Sequence, residues 1–359
     1  MPRAGRRLIA RLLALVVVVG AGAAGAWLYV VGFWAELPHA GRGEEVIVEV
    51  PRGTGPRRLA RALAERGVVG DPWRFELLVR ARRAAGRIRA GRYLLRDDLT
   101  PAQVLGRVAR VGAGGALRVT LPEGKTLQQV ADILEAQGIV PRSALLAAAR
   151  DPVLLARLDI PGDSAEGWLF PDTYDLVPGT DAAEVLRRLR ANFARRVEPL
   201  FAVEARRLDE LGRAGVDRRG VIVLASLVEA EARRAEERPR VAAVFLNRLT
   251  RPGFSPRYLN TDPAVAYGCR VEPTSGCAGF GADARRITRP MLRDPDNRYN
   301  TYRHPGLPPG PIDNPGLAAL RAVLEPALTD DLYFVARGDG SHAFAATLPE
   351  HEANVARYR

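Results

Sequence analysis

Cysteine is nearly absent: the 359 residues contain two, Cys269 and Cys277. They bracket a short loop and match no metal-ligand spacing, and the chain offers no other metal-ligand cluster, so neither metal nor cofactor is expected. A bridge between them belongs only in an oxidising compartment. Lysine is scarcer still. Lys125 is the single one, and the other 52 of the 53 basic residues are Arg, giving a net charge of +12 over 41 acids. A basic balance suits nucleic acid, a membrane surface or an acidic polymer. Here the charge is spread along helices and no basic run is studded with aromatics, so nucleic acid is not the expected partner. With 47% hydrophobic and 26% charged residues the chain is a folded protein of two or three domains, not a disordered one.

Long apolar runs are missing too, with one exception. Residues 1–11 carry Arg3, Arg6, Arg7 and Arg11 and no acid, and Leu12–Val31 is then an uncharged run of 20 residues, enough to cross a bilayer as a helix. Trp27, Tyr29 and Trp34 stand near its far end, where an aromatic belt belongs. The Arg cluster keeps the N-terminus inside and sends residues from about 35 onward out of the cytoplasm. The competing reading is a cleaved signal peptide, since Ala21–Gly22–Ala23 and Ala24–Gly25–Ala26 are small-residue sites. An uncleaved anchor at 12–34 after a tail at 1–11 is the expectation, because the run is long for a signal.

The body opens with an internal duplication. Val50–Pro51–Arg52–Gly53 precedes Leu59, Ala60, Leu63, Gly67 and Val68. Leu121–Pro122–Glu123–Gly124, Val130, Ala131, Leu134, Gly138 and Ile139 follow in the same register, 71 residues on. Each copy reads as a strand, a Pro-x-Gly turn and an amphipathic helix stopped by glycine. A second strand and helix follow each: Ala90–Leu94 then Thr100 and a helix through Val104, and Glu166–Phe170 then Thr180 and a helix through Val185. The spacing predicts two related α+β units, 45–115 and 116–190, ahead of a third region at 191–359. They serve as scaffold or as glycan-binding modules. In the second copy Glu166, Trp168 and Tyr174 make either a sugar-facing wall or an aromatic core strand.

Beyond a polar helix from Ala182 to Leu211 lies the stretch Val221–Val228, apolar except for Ser226, running into Glu229. On a helix, 222, 225 and 229 share one face, so Glu229 continues a buried stripe or else begins the polar part of a helix reaching about Glu237. A buried carboxyl resists ionising, and an acid still protonated near neutrality is what a general acid requires. Pro239 restarts a helix through Leu249. Then come loops rich in hydroxyls, amides, Pro and Gly, which suit fixed shapes around a groove. A helix over Leu317–Val323 and a strand at Leu332–Val335 follow.

Leu224–Ala225–Ser226–Leu227–Val228–Glu229–Ala230–Glu231, Phe245–Leu246–Asn247–Arg248–Leu249, Thr261–Asp262–Pro263, Tyr299–Asn300–Thr301–Tyr302 and Gly306–Leu307–Pro308–Pro309–Gly310 occur in the order seen in the MltG (YceG-like) endolytic murein transglycosylases. The chain resembles that family over residues 45–357. The resemblance implies an α+β protein: a transmembrane helix, LysM-like βα modules, then a mixed α/β catalytic domain. It also implies cleavage within nascent peptidoglycan strands at the outer face of the cytoplasmic (inner) membrane, beside peptidoglycan synthases. Asn260 stands where the family usually has Gln.

By this resemblance Glu229 is the catalytic acid. Ser226, Asn247, Asn260, Thr261, Asp262, Tyr299 and Asn300 are the candidate substrate-binding residues, with Glu231 in support, paired with Arg234 or Arg248. Glu229 and Glu231 cannot act as the two flanking carboxylates of a hydrolase, since residues two apart on a helix point to opposite sides. Two alternatives stand beside the transglycosylase: a hydrolytic muramidase using Asp262 as second carboxylate, and a non-catalytic, membrane-tethered peptidoglycan-binding scaffold. His342 and His351, near the chain end, read as solvated or structural.

Overall fold

The glycines marking the 71-residue repeat share one backbone geometry. In the computed structural model, which describes residues 16–22, 24, 25, 27–51, 53–88, 90–110, 116–280 and 286–358, Gly53 and Gly124 have φ of +76° and +70°, and Gly67 and Gly138 +71° and +69°. Only glycine enters this region without strain. Gly67 and Gly138 each end a helix the same way: Val68 N–H donates to Leu63 O and Ile139 N–H to Leu134 O, both at 2.9 Å. The chain gathers into two units. One comprises the residues up to Val119 with Leu134–Pro141 and Tyr174–Asp181; the other comprises Thr120–Ile133, Arg142–Thr173 and Ala182–Arg359. The 116–190 stretch is therefore divided between them and does not form a unit of its own.

In the first unit β1 (Glu45–Val50) pairs antiparallel with β2 (Gly91–Arg96), Val48 facing Tyr93. Alternation puts Val48, Val50, Tyr93 and Leu95 inside. Helices α1 (Pro56–Glu65), α2 (Pro72–Ala81) and α3 (Pro101–Arg110) add Leu59, Leu63, Phe75, Leu78, Val104 and Val108 to the same core. Proline opens each helix, where its missing N–H costs nothing. Asp71 caps α2, accepting from the N–H groups of Trp73 and Arg74, and Thr100 with Gln103 closes a reciprocal box on α3.

The stretch 12–34 lies partly outside the described residues, and the 1–11 tail wholly so. Among the described residues no helix is long and apolar enough to cross a membrane. A π-helical turn at Tyr29–Phe33 and a 3-10 turn at Trp34–Glu36 bring Val30 and Ala35 into the first core. The predicted strand at Glu166–Phe170 is instead a turn, with Gly167 at φ +84°. Strand β4 (Thr173–Leu176) comes later and pairs with β3 (Leu117–Thr120).

Repeat helix α4 (Leu127–Ala136) and the short helices α5 (Arg142–Ala148) and α6 (Pro152–Arg157) precede α7 (Ala182–Val203). The polar helix expected to reach Leu211 breaks after Val203, and α8 (Ala205–Arg213) carries on. Then comes α9 (Arg218–Glu231), capped by the Asp217 side chain on Gly220 N–H. Every residue from Gly220 to Val228 is buried, so α9 is a central helix enclosed on all sides rather than a one-faced stripe. It ends at Glu231, short of the expected Glu237. It packs on α10 (Arg238–Thr250), α11 (Asp262–Val271) and α13 (Leu317–Leu324).

Several elements go beyond the sequence expectations, α2, α5 and α6 among them. Thr261–Asp262–Pro263, taken as a loop, starts α11. The chain end is helical as α14 (Leu348–Tyr358), packed on the hairpin β5 (Tyr333–Ala336) and β6 (His342–Ala345). Cys269 and Cys277 are disulfide-bonded. With Val265 and Met291, from α11 and the short helix α12 (Arg289–Arg293), they form a small satellite core.

Candidate active site

Glu229 lies in the last turn of α9 with its side chain 6% exposed. Arg238 Nη2, from the first residue of α10, donates to its Oε1 at 2.7 Å, and Gly316 N–H donates to Oε2 at 3.2 Å. Glu123, half exposed in the repeat turn, brings Oε2 to 4.0 Å from the same guanidinium. Burial pushes the Glu229 carboxyl above the ordinary range. Arg238 and the Gly316 amide pull it back, and Glu123 pushes it further up. Gly124 suits this place by its backbone, at φ +70°, and its Cα lies against Glu229, whose Cγ an added Cβ would meet at an ordinary contact of 3.4 Å.

Three segments are knotted round this helix end by buried polar groups. Asn314 N–H donates to Lys125 O, and Gly124 N–H returns to Asn314 O, both at 3.0 Å. The Asn314 side chain donates to Lys125 O and to Glu166 Oε1 and accepts from Leu169 N–H. Glu166 also accepts from Leu127 N–H at 2.8 Å and the Tyr267 hydroxyl at 3.1 Å. Burial outweighs these donors and raises its carboxyl to about 8. Asp313, buried in the same knot, is pushed well above its normal value by burial and by the charges of Glu166 and Glu229. Its Oδ1 has no hydrogen-bond partner among the described residues.

Most residues expected to touch substrate are committed to the scaffold. Ser226 is fully buried; its hydroxyl donates to Val223 O at 2.7 Å and accepts from Ile312 N–H at 3.0 Å, pinning the loop that carries Asp313. Asn247 donates to Thr329 O and Asp331 O, both at 2.9 Å. Asn300, also fully buried, donates to the carbonyls of Met291, Leu292 and Asp294. Thr261 has no exposed surface, and its N–H donates to the Thr301 hydroxyl. Tyr299 packs edge-on against Tyr267 at 4.9 Å, its hydroxyl raised to about 12 by burial.

The sugar-facing wall is likewise interior. Trp168 lies against Phe193 with Arg190 over its ring, Glu166 is the buried hub just described, and Tyr174 is buried in β4 of the first unit. Among these expected contacts, the side chains of Ser226, Asn247 and Asn300 donate to backbone carbonyls within the fold. The sequence reading passed over Glu123, Arg238 and Asp313 as site residues. The signals were there: Glu123 in the duplicated turn, Arg238 opening the restarted helix, Asp313 between Pro311 and Asn314.

Glu231 faces elsewhere. It lines a separate cavity of about 400 Å³ with Asn260, Asp262, Tyr302, Tyr333 and His351. Burial raises its carboxyl to about 7, helped by Asp262 and opposed by Thr261 and Arg248. The expected Arg234 pairing is not made, since Arg234 binds Asp339. Arg248 lies nearby, but its donors go to Leu332 O and Leu259 O. Asn260 is exposed with φ +52°, and Asp262 accepts from the Tyr302 hydroxyl at 2.7 Å. His342 is structural, its Nδ1 2.8 Å from Glu237. Among the described residues no group of three or more His, Cys, Asp and Glu could hold a metal ion.

A protein of Bacillus subtilis (strain 168) called endolytic murein transglycosylase is 27% identical over 330 residues, 87% of this chain and 84% of that one. One of the same name from Streptococcus pneumoniae serotype 2 is 27% identical over 342 residues, and this chain spans 58% of its length. The crystal structure of a yceG-like protein from Listeria monocytogenes superposes with a TM-score of 0.58 at 26% identity, covering 86% of this chain and 98% of that one. The model of the YceG-like family matches residues 48–357, nearly the whole described body, and the chain belongs to that family.

Proposed function

We propose that this chain is an endolytic murein transglycosylase with Glu229 as its catalytic acid. The carrying observation is the enclosed Glu229 carboxyl, raised by burial and set at the end of a rigid central helix. The names of the family relatives support the substrate class. Glu229 gives its proton to the glycosidic oxygen as the bond from the muramic acid C1 breaks. The 6-hydroxyl of the same sugar attacks C1, and its proton passes to the Glu229 carboxylate. One C–O bond is broken, one is made, and no water is consumed; the product ends in a 1,6-anhydro ring. An intramolecular nucleophile brings a large effective concentration. Arg238, already 2.7 Å away, stabilises the carboxylate formed midway.

A hydrolase would need an ionised second carboxylate beside the acid. Asp262 lines the Glu231 cavity, away from Glu229, and burial pushes the Asp313 carboxyl well above its normal value, which disfavours the ionised form a base needs. Glu229→Gln keeps the shape and removes the proton. Incubated with uncrosslinked glycan strands, it should release no anhydro-ended fragments, while the wild type should release ends one water lighter than hydrolytic ones. Anhydro products from the variant would refute the assignment.

The N-terminal apolar segment is proposed to anchor the protein in the cytoplasmic membrane, with its body outside and peptidoglycan synthases nearby. The Cys269–Cys277 disulfide fits an oxidising, extracytoplasmic setting. The first unit is proposed as a LysM-like glycan-binding module.

A further inference from the structure

Helices α1 and α2 of the first unit turn a basic face outward. Leu59, Ala60 and Leu63 of α1 and Phe75, Leu78 and Val79 of α2 go to the core. By helical periodicity Arg57, Arg58 and Arg61 then point away from it, as does Arg80. These four arginines, all exposed, line a groove of about 430 Å³ with Gly55 and Pro56, and no acid is among its lining residues. Arg80 is bound to Glu76 at 2.6 Å. Arg57, Arg58 and Arg61 have no carboxylate partner among the described residues. Guanidinium groups crowded round one groove repel one another, and a bound anion relieves that repulsion. Their planar forks match phosphate oxygens. Trp73 points to the source of the phosphate. It lies seven residues before Arg80, on the same face of α2, and is 66% exposed. Among the described residues it is the one exposed aromatic outside Trp27–Phe33. Indole and guanidinium side by side suit a bilayer surface, the ring at headgroup level and the cations on phosphates. Helix α2 also holds the end of the N-terminal apolar run. Val30 and Ala35 join the same core, the Arg74 guanidinium lies over the Tyr29 ring at 5.6 Å, and Arg82 donates to Glu36 at 3.1 Å. With no linker between run and unit, an anchored chain keeps this face at high effective concentration near the headgroups.

We propose that the outer face of α1 and α2 is a membrane-docking surface, with Arg57, Arg58, Arg61 and Arg80 on the phosphates of anionic phospholipids and Trp73 among the headgroups. The inference rests on the anchoring reading of the N-terminal run and adds a second contact to it. One contact tethers the first unit; two fix which side of it lies on the bilayer.

The test places full-length protein in lipid nanodiscs of phosphatidylcholine, alone or with about one-third phosphatidylglycerol, and labels arginines with phenylglyoxal at low salt. Peptide mass spectrometry reads each site. Labelling of Arg57, Arg58 and Arg61 should slow about fivefold or more with the anionic lipid and recover in 1 M salt. Arg289 and Arg293, exposed in the second unit, should change less than twofold. Quenching of Trp73 by brominated phosphatidylglycerol, read as the difference from Trp73→Phe, should be lost when Arg57→Gln and Arg61→Gln are combined. Both arginines are exposed, so the melting temperature of that variant should match the wild type. Unchanged labelling would overturn the proposal. Equal slowing at Arg289 and Arg293 would too, since net charge alone would then draw the protein down. Equal slowing by inorganic phosphate or a soluble acidic polysaccharide in phosphatidylcholine discs would make the groove a general anion site and also overturn it. Failure of the anchoring reading shows separately, as loss of the protein from phosphatidylcholine discs in 1 M salt.

Discussion

Glu166 carries a carboxyl in a place with almost no water, held by two N–H donors on Oε1 and one hydroxyl on Oε2. Its value of about 8 means that the folded chain keeps this proton while the unfolded chain releases it near 4.5. Between those values the folded state binds more protons, so its contribution to stability is full below pH 4.5 and fades as the pH rises to about 8. The whole span is worth roughly 3–5 kcal/mol, at about 1.4 kcal/mol per pKa unit. Glu166→Gln keeps an acceptor for Leu127 and Asn314 and offers Tyr267 an N–H. Melting temperatures from pH 5 to 9 should therefore fall less in the variant than in the wild type, with the curves separating above neutrality. Parallel curves would mean that Glu166 is ionised throughout. Glu231, raised to about 7, adds a slope of the same sign, which the comparison cancels.

Residues also mark where sequence legibility ran out. The carboxylate at the end of the apolar run was visible as a chemical anomaly. Its partners were not, because Arg238, Gly316 and Glu123 come from segments that only folding brings together. Ser226 and Asn300 stood out for the same reason as Glu229, as polar groups in unusual company. A hydroxyl aimed at a sugar and one aimed at a buried carbonyl look alike until the backbone is traced.

At the scale of elements, the loop 311–316 is held against α9 by close packing as well as hydrogen bonds. Gly167 has φ +84°, and a Cβ on it would overlap the ring of Pro311 and lie 3.2 Å from Ile222 Cγ2. A proline ring cannot swing aside. Gly167→Ala should cost about 2–4 kcal/mol from positive-φ strain and overpacking together. Gly316→Ala is a useful contrast. There the overlap is with the carboxylate of Glu123, the tip of a flexible side chain 47% exposed. Urea unfolding should show a markedly lower midpoint for Gly167→Ala and one near wild type for Gly316→Ala. Equal midpoints would mean that the loop is free to move away from α9.

Element types were legible where local chemistry is strong. The glycine stops at 67 and 138, the prolines opening α1 and α10, and the alternation in β1 all lie in the sequence. Helix α11 was missed because its opening Thr-Asp-Pro also spells a turn, and Gly268 and Cys269 dilute its apolar pattern. The Gly268 position is in fact packed: a Cβ there would collide with Asn297. The strand expected at Glu166–Phe170 failed at Gly167, whose left-handed backbone turns the chain.

For the whole molecule, the arrangement of apolar surface bears on the membrane proposal. Among the described residues most of the exposed large hydrophobics fall between Val16 and Leu37, among them Val16–Val19, Leu28 and Phe33. Within the same stretch Val30 and Ala35 belong to the first core, and Arg82 pairs with Glu36 at 3.1 Å. The segment thus divides into a part that no described residue covers and a part that completes a unit. A net charge of +12 could by itself hold the protein on an anionic surface, but such adhesion is screened, with a Debye length of about 3 Å at 1 M salt. Full-length protein should therefore stay with membranes through a 1 M salt wash and leave only with detergent. A chain beginning at Tyr29 should be found in the aqueous fraction, keep the wild-type melting temperature and still cleave glycan strands. One beginning at Pro38 should be equally water-soluble but melt several degrees lower, having lost Val30, Ala35 and the Glu36 pair. Membrane retention of the chain from Tyr29 after the salt wash would move the anchor out of the N-terminal run.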